Sequence, residues 1–283
     1  MRRLLAAVIL VLAGCGHQPN SLFDAAGYHV RDNTVFYLNA FPGKAFRVEG
    51  ADTGSFEALD AEYARDHGAV YLDARRLPEA DPATFALLPR PGYAKDAGHV
   101  FVRDRILSAD PAHFELLDGE LAKDSGAVYW SDGSVLSHDP EHFAIISDID
   151  HYLFAKDSGT VYVNGNPIQG ADPPSFRVLG GAYATDRDRS YYFSDTIVGA
   201  DRASLRHLQD AYAADDRRAY WMGKEIPGAD PATFRVLNGA FECTADADRA
   251  YYRQQVIAGA DPRTFPANRQ VDGCSAAEIS FTN

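Results

Sequence analysis

The sequence predicts an all-β repeat protein, built as an open, solenoid-like array of about eight units of 29 residues each. Three regularities support this class. A phrase of the form Ala-Asp-Pro-x-Thr/Ser-Phe recurs with variations, a second aspartate follows it by about 14 residues, and an aromatic residue stands five positions after that second aspartate. The first aspartates are separated by 29, 29, 29, 33, 29, 29 and 31 residues, and they are Asp52, Asp81, Asp110, Asp139, Asp172, Asp201, Asp230 and Asp261.

The recurring phrase predicts a short capped helical turn in each unit. In Ala80-Asp81-Pro82-Ala83-Thr84-Phe85 the aspartate is a favourable N-cap, because its carboxylate accepts hydrogen bonds from the first free backbone N–H groups. Pro82 suits the next position, where its missing N–H costs nothing. Catalytic groups are seldom needed in eight copies, so these aspartates are expected to shape turns.

The stretch around the second aspartate predicts a β-hairpin, since two short apolar runs flank a polar turn. The strand after the turn is apolar at successive positions, so both of its faces are expected to pack. In four units the turn carries a glycine, which we expect to adopt positive φ. These glycines are Gly68, Gly98, Gly126 and Gly159. The second aspartates are Asp32, Asp66, Asp96, Asp124, Asp157, Asp186, Asp215 and Asp246.

Each unit is therefore predicted to hold four short strands and one capped turn, and to bury its apolar face only by stacking on its neighbours. The array starts in mid-repeat near Tyr28 and stops in mid-repeat after Phe265. A closed, β-propeller-like ring, in which the C-terminal segment pairs with residues 28–40, is the alternative. Units of 29 residues are short for a propeller blade of about 40 residues, which favours the open array.

The repeats resemble the DKNYY family of bacterial repeat proteins, whose name spells the hairpin segment. Asp186-Arg187-Asp188-Arg189-Ser190-Tyr191-Tyr192 and Asp248-Arg249-Ala250-Tyr251-Tyr252 come closest to that name. The resemblance runs from about Tyr28 to about Phe265. It implies a repeat fold but brings no established activity and no known catalytic residues.

The N-terminus predicts export and lipid attachment. Arg2 and Arg3 precede an apolar run from Leu4 to Leu12, which is too short to span a bilayer but fits a secretory signal. Leu12-Ala13-Gly14-Cys15 resembles a bacterial lipobox, which implies cleavage before Cys15 and acylation of that cysteine. Gly16 beside it favours the outer membrane, facing the periplasm. The predicted parts are a signal peptide (1–14), a lipid-anchored tether (15–22), the repeat domain (23–266) and a C-terminal cap or tail (267–283).

Composition and charge restrict the classes of partner that the protein is expected to bind. The net charge is −13, and it becomes −15 without Arg2 and Arg3. An acidic surface argues against nucleic acid, whose phosphates call for a basic face. With 46% hydrophobic residues the chain has enough material for a core.

The fourth repeat is the main irregularity. It carries four extra residues within Ile145–Tyr152, and insertions in repeat arrays usually form loops on one face. Asp148, Asp150, His151 and Tyr152 are therefore the candidate binding residues. Histidines are concentrated nearby. A zinc site needs three or four ligands that point at one position, and the spacing of these histidines does not show that they meet. We therefore expect no metal site and keep these residues as weak candidates only. They are His113, His138, His142 and His151.

Two cysteines have no counterpart in other repeats. Cys243 lies in a two-residue insertion of the last repeat, and Cys274 lies in the tail. In an oxidising compartment two such cysteines are expected to pair. Their separation of 31 residues gives a stabilisation of about 3 kcal/mol in the chain-entropy model. A catalytic thiol is the alternative, but no His–acid pattern marks either residue.

The sequence favours a non-enzymatic, lipid-anchored envelope protein whose repeat surface binds another macromolecule, with a protein as the expected partner. It contains no Gly-x-Ser-x-Gly elbow, no phosphate-binding glycine loop and no His-Glu-x-x-His pair, and no cofactor is expected. One alternative is a periplasmic inhibitor or immunity-like protein. A hydrolase with a site near the fourth-repeat insertion is the least favoured.

Overall fold

The computed structural model describes residues 26–40 and 43–282, which divide into two compact units on either side of the Phe114–Glu115 bond. Over these residues the first unit contains three small antiparallel sheets. The first sheet consists of β1 (Gly27–Arg31), β2 (Thr34–Leu38) and β3 (Ala45–Arg47). The second consists of β4 (Glu57–Ala58), β5 (Tyr63–Arg65), β6 (Val70–Leu72) and β7 (Arg75–Arg76). The third consists of β8 (Ala86–Leu87), β9 (Tyr93–Lys95), β10 (Val100–Val102) and β11 (Arg105–Ser108).

The second unit holds five more four-stranded sheets among its described residues. The fourth sheet consists of β12 (Glu115–Leu116), β13 (Ala122–Lys123), β14 (Val128–Tyr129) and β15 (Val135–Ser137), and the fifth of β16 (Ala144–Ile149), β17 (Tyr152–Lys156), β18 (Val161–Val163) and β19 (Asn166–Pro167). The sixth consists of β20 (Arg177–Gly180), β21 (Tyr183–Thr185), β22 (Ser190–Tyr192) and β23 (Asp195–Thr196). The seventh consists of β24 (Arg206–Gln209), β25 (Tyr212–Ala214), β26 (Ala219–Trp221) and β27 (Lys224–Glu225). The eighth consists of β28 (Arg235–Asn238), β29 (Cys243–Ala245), β30 (Ala250–Tyr252) and β31 (Gln255–Val256), and a hairpin of β32 (Val271–Cys274) and β33 (Ile279–Phe281) follows it.

The all-β repeat class is confirmed. From the second to the eighth, each sheet is an antiparallel meander of four consecutive strands. The capped turns are also present, although they are shorter than a helix in most units. Asp81, for example, accepts a hydrogen bond from the backbone N of Ala83, and only Pro262–Thr264 among the described residues is long enough to form a 3-10 helix.

Strand pairing agrees with an open array. The strands β1 to β3 form a sheet of their own, and the segment after Phe265 pairs with itself as β32 and β33. No described sheet closes into a barrel. The ladder that the ring alternative requires is therefore not formed.

A buried aspartate organises each four-stranded sheet, and Asp215 shows the pattern. Its side chain is fully buried, and Oδ1 accepts hydrogen bonds at 2.7 Å from the backbone N atoms of Arg217 and Arg218. Oδ2 accepts one at 2.6 Å from the Tyr220 hydroxyl and one at 2.8 Å from the backbone N of Asp201. A single carboxylate thus ties the hairpin turn, the second hairpin strand and the preceding capped turn together.

The same carboxylate arrangement recurs along the chain. The tyrosine five residues on donates to the aspartate at 2.6 to 2.8 Å in the pairs Tyr71–Asp66, Tyr129–Asp124, Tyr162–Asp157, Tyr191–Asp186, Tyr220–Asp215 and Tyr251–Asp246. In the fifth sheet the aspartate, Asp157, is linked to the preceding capped turn through a serine. Ser137 donates to Asp157 and accepts from the backbone N of Asp139.

Two details differ from the sequence prediction. The turn glycines, such as Gly68, do not have positive φ, because the Asp66 carboxylate itself folds the turn by accepting from the backbone N atoms of Gly68 and Ala69. Positive φ occurs in the next turn instead, at Asp73 and Ala74. Asp32 is not a buried organiser either, since it is exposed and lies with φ 47° in the turn between β1 and β2.

Within each unit the core lies between successive sheets, as the stacking prediction requires. Tyr63, Val70 and Leu72 of the second sheet pack with Ala94 and Phe101 of the third. A second tyrosine reaches across this contact in several repeats. The Tyr63 hydroxyl donates to the carbonyl oxygen of Gly92, and the Tyr212 hydroxyl donates to that of Glu242 at 2.8 Å. In the repeats of Tyr183 and Tyr212, one tyrosine thus closes the hairpin turn and another joins the repeat to the next.

Acid is expected to unfold the array, because the aspartates depend on being ionised. Burial acts to raise the pKa of Asp215, but hydrogen bonds from Tyr220 and from three backbone N–H groups outweigh it and lower the pKa below its usual value of 3.8. The pKa is lowered in the same way at Asp66, Asp157, Asp186 and Asp246. A carboxylate whose folded pKa is lowered stabilises the fold above its unfolded pKa, and this contribution is lost as the pH falls through the folded value.

We therefore expect the urea midpoint to hold steady from pH 7 to pH 5 and to fall steeply below about pH 4. Circular dichroism at a series of pH values measures this. An Asp215→Asn variant is the control, because it should be less stable at pH 7 and lose less on acidification. Equal acid sensitivity of the two proteins would contradict the assignment for Asp215.

The C-terminal segment covers the last repeat. Phe265, Cys274 and Ile279 pack against Ala250 of the eighth sheet and against Ile257, which follows it. The Asn238 side chain donates to the carbonyl oxygen of Val271 at 2.8 Å. A disulfide joins Cys243 to Cys274, with Cα atoms 5.9 Å apart. The tail thus has the position of a cap, and the cysteine pair expected from the sequence is the pair that is bonded.

Removing this disulfide is expected to lower the free energy of unfolding by about 3–4 kcal/mol, because the bond closes a long loop in the unfolded chain. A Cys243→Ser/Cys274→Ser double variant and the wild type, with and without reductant, would be compared in urea. Reductant should destabilise only the wild type. Two free thiols titrated in unfolded, unreduced wild-type protein from the periplasm would contradict the pairing.

The predicted signal peptide, Cys15 and the predicted tether lie outside the described residues. Among the residues that are described, no helix is long and apolar enough to cross a membrane.

Candidate functional site

The insertion of the fourth repeat builds the longest hairpin in the second unit. The strand β16 has six residues and β17 has five, whereas the first strands of the other sheets in this unit have two to four. Asp150 and His151 form its two-residue turn with φ of 54° and 67°, the left-handed pair that matches the twist of a tight hairpin. The register shifts between Ile145 and Ser147, so Ile146 is an extra residue in the strand. The insertion predicted as a loop is therefore an extended hairpin, with Asp148, Asp150 and His151 exposed.

Asn164 holds the turn end of this hairpin. Its Oδ1 accepts a hydrogen bond at 2.7 Å from the backbone N of Leu153, and its Nδ2 donates at 3.0 Å to the carbonyl oxygen of His151. Tyr152 packs edge-on against Phe193 of the next repeat, with ring centroids 6.3 Å apart. The turn end of the hairpin is thus held by Asn164 and Tyr152, while the side chains of Asp148, Asp150 and His151 remain exposed.

A groove of about 360 Å³ runs between β16 and β20. Its first wall is formed by Ile146, Ser147 and Ile149, and its second by the segment 176–181 with Val178 and Leu179. Ile149 is 62% exposed and lies next to the apolar wall of β20. Both strands lie at the edge of their sheets, so the groove presents unpaired strand edges together with apolar side chains. We call Ile146, Ser147, Ile149, Val178, Leu179, Gly180 and Gly181 the hairpin groove.

Two glycines allow the close packing at one end of the hairpin groove. A Cβ atom on Gly180 would stand 2.4 Å from Nδ1 of His207, and the φ of Gly180 is 142°. The His207 ring is held in place because its Nε2 lies 2.9 Å from the carbonyl oxygen of Asp210. Any side chain at position 180 would collide with this ring.

The four histidines proposed as weak metal candidates do not form a metal site. Nδ1 of His113 lies 2.8 Å from Asp110, and Nδ1 of His142 lies 2.8 Å from Asp139, so each belongs to the capped turn of its own repeat. Hydrogen bonds from Ser158 and His142 lower the pKa of Asp139 to about 2, and the pKa of His142 is raised by the same contact. His138 and His151 are exposed. Across residues 26–40 and 43–282 there is no group of three or more His, Cys, Asp or Glu residues that could hold a metal ion.

Comparison with protein families identifies the repeats. A family model described as "DKNYY family" matches residues 28–195 and 181–255. The chain belongs to the DKNYY family. No curated protein and no solved structure matches it.

The DKNYY segment is the part of each repeat that contains the buried carboxylate. In Asp186–Tyr192 the leading aspartate accepts from the hydroxyl of Tyr191, and the next tyrosine, Tyr192, packs against Tyr183 with ring centroids 4.9 Å apart. The first tyrosine therefore completes the aspartate network, and the second covers the tyrosine that reaches the following repeat. The motif that identifies the family is thus structural.

One wall of the hairpin groove could be predicted from the sequence, and the other could not. The four-residue insertion singled out the hairpin, but Val178 and Leu179 look like ordinary strand residues of a repeat. The signal for the second wall was the pair Gly180-Gly181, since the corresponding positions hold Gln209-Asp210 in the next repeat.

Proposed function

We propose that this DKNYY protein is a lipid-anchored, non-enzymatic component of the bacterial envelope that binds another protein through the hairpin groove. The exposed Ile149 beside the apolar wall of β20 is the observation that carries the proposal. Exposed apolar residues that line a groove are typical of protein contacts.

The strand edges and apolar side chains of the hairpin groove favour a partner that binds as an extended peptide segment. Edge strands carry backbone N–H and C=O groups that can accept an additional strand, and side-chain pockets then give specificity. Ile146 and Ile149 supply such apolar positions on β16, and Val178 supplies one on β20. Asp148 and Asp150 lie at the exposed end of the hairpin, so a basic residue of the partner beside its apolar segment would complement the hairpin.

Charge supports the same kind of partner. Residues 115–283 contain 26 acidic and 15 basic residues, while residues 1–114 contain 14 and 12. The unit that carries the hairpin groove is therefore strongly acidic. An acidic surface steers basic partners toward it and repels nucleic acid.

The proposed lipid anchor would place this binding at a membrane surface. Acylation at Cys15, proposed from the lipobox, would hold the repeats at a membrane surface on the tether of residues 15–22. The partner would then be another protein of the same envelope.

Affinity recovery from detergent-solubilised envelopes tests the proposal. The acylated wild-type chain should recover a reproducible partner, and an Ile149→Asp variant should lose it. Val198→Asp is the matched control, because Val198 is also exposed (92%) and lies in the same unit but does not line the hairpin groove. Failure of the wild type to recover any reproducible partner would contradict the proposed function.

A further inference from the structure

A second concave surface lies in the first unit, on the sheet edge formed by β7. Two adjoining concavities of about 320 and 400 Å³ share Asp73 and Arg75 as lining residues. The first is also lined by Arg76, Arg103 and Asp104, and the second by Arg47. We call Arg47, Arg75, Arg76 and Arg103 with the space between them the arginine groove.

Part of the positive charge in the arginine groove is already neutralised. Arg103 donates to Glu62 at 3.0 Å and to Asp73 at 2.9 Å, and Asp73 also accepts from the Tyr37 hydroxyl at 2.6 Å. These contacts hold Arg103 in a fixed position on the wall. One oxygen of Asp73 thus accepts from Arg103 and the other from Tyr37.

The other arginines lack a close acidic partner among the described residues. Arg76 donates to the carbonyl oxygen of Gly68 at 2.9 Å, which orients its guanidinium without neutralising it. Arg47 comes no nearer than 3.9 Å to Glu49, and both side chains are well exposed, so this pair contributes little. Arg75 is exposed and stands where the two concavities meet.

This arrangement is specific to the second repeat. The strand equivalent to β7 begins with Arg105 in β11, Val135 in β15, Asn166 in β19, Asp195 in β23, Lys224 in β27 and Gln255 in β31, and only in β7 is the next residue also an arginine. Two consecutive arginines at this edge therefore do not follow from the repeat pattern. The net charge of the protein is −13, so its solubility does not require a local cluster of arginines.

We propose that the arginine groove binds a ligand that carries phosphate groups. Guanidinium groups match the geometry of phosphate oxygens and donate two parallel hydrogen bonds to them. Arg47 and Arg76 line different concavities, with Arg75 between them, so the groove suits more than one anionic group. The ligand is either a free phosphate ester or the headgroup of a phospholipid. This inference does not depend on the hairpin groove or on its protein partner.

Isotope-edited NMR of the arginine side chains tests the proposal on the full acylated chain in uncharged detergent at low salt, with inorganic pyrophosphate as the probe. We expect saturable shifts in the wild type and an affinity at least about tenfold weaker in an Arg75→Gln/Arg76→Gln variant, since each charge-assisted hydrogen bond contributes at least one such factor. Lys224→Gln is the matched control, because Lys224 holds the same strand position in another repeat, and its affinity should equal that of the wild type.

Two further binding measurements distinguish a phospholipid headgroup from a free phosphate ester. Tighter binding of a short-chain phosphatidic acid than of glycerol 1-phosphate assigns the site to a lipid headgroup, and equal binding assigns it to a free phosphate ester. Charged residues on an edge strand also prevent sheets from joining edge to edge. Absence of saturable pyrophosphate binding in the wild type, or equal affinity in all three proteins, would overturn the proposal and leave the arginines with that protective role.

Discussion

Replacing Asp215 by alanine is expected to lower the free energy of unfolding of its repeat by about 3–5 kcal/mol. The substitution removes the acceptor for three backbone N–H groups and the Tyr220 hydroxyl at a position that is fully buried. A buried donor left without a partner costs about 1–3 kcal/mol, and the protein cannot bring water to all four donors without opening the turn.

A graded series separates the contacts of this carboxylate. Tyr220→Phe removes one hydrogen bond of the four and should cost about 1–2 kcal/mol. Asp216→Ala is the control, because Asp216 is the exposed neighbour in the same turn. Urea unfolding followed by Trp221 fluorescence in a Trp130→Phe background reports this repeat locally, since the chain has only two tryptophans. Equal stability of Asp215→Ala and Asp216→Ala would contradict the role assigned to the buried aspartates.

Replacing Cys15 by serine is expected to abolish lipid attachment and signal cleavage. The prediction rests on the apolar run from Leu4 to Leu12 that ends in Leu-Ala-Gly-Cys, because the thiol is the only group in that resemblance that can be acylated. Several acyl chains on one residue anchor a protein firmly, whereas the apolar run Leu4–Leu12 is too short to span a bilayer, so the protein without acyl chains should leave the membrane fraction. The unprocessed chain would keep its signal peptide and run larger on a gel.

Fractionation of envelopes in the presence of high salt measures this change. Cys243→Ser/Cys274→Ser is the control, because it removes the other two cysteines and should leave membrane attachment intact. A Cys15→Ser protein that fractionates with membranes at the wild-type level would show that the N-terminus does not act as a lipobox.

The repeat architecture was predictable from spacing alone. The 29-residue period, the capping aspartates and the apolar strand after each turn are all local, and a local pattern repeated along the chain predicts a stacked array. The constant five-residue step from aspartate to aromatic residue was visible too. Its meaning was not, because Asp215 and Tyr220 meet only when the hairpin has formed.

The misjudged turn has a specific physical reason. Glycine at a turn usually indicates positive φ, but here the preceding Asp66 supplies the acceptor that closes the turn, so no left-handed residue is required. Asp188 and Asp248 at equivalent positions also fitted the expected positive φ, because Asp tolerates that region better than most residues. The hairpin groove and the arginine groove depend on how separate strands pack, which no single stretch of sequence encodes.

Photo-crosslinking in living cells is the most direct test of the hairpin groove as a binding surface. A photoreactive residue at position 149 should give a discrete, reproducible adduct with another envelope protein, because this side chain lies exposed beside the apolar wall of the groove. The same residue at position 198, which is exposed but outside the groove, should give none. Adducts of equal yield at both positions, or at position 198 alone, would contradict the assignment of the hairpin groove as the surface that binds the partner.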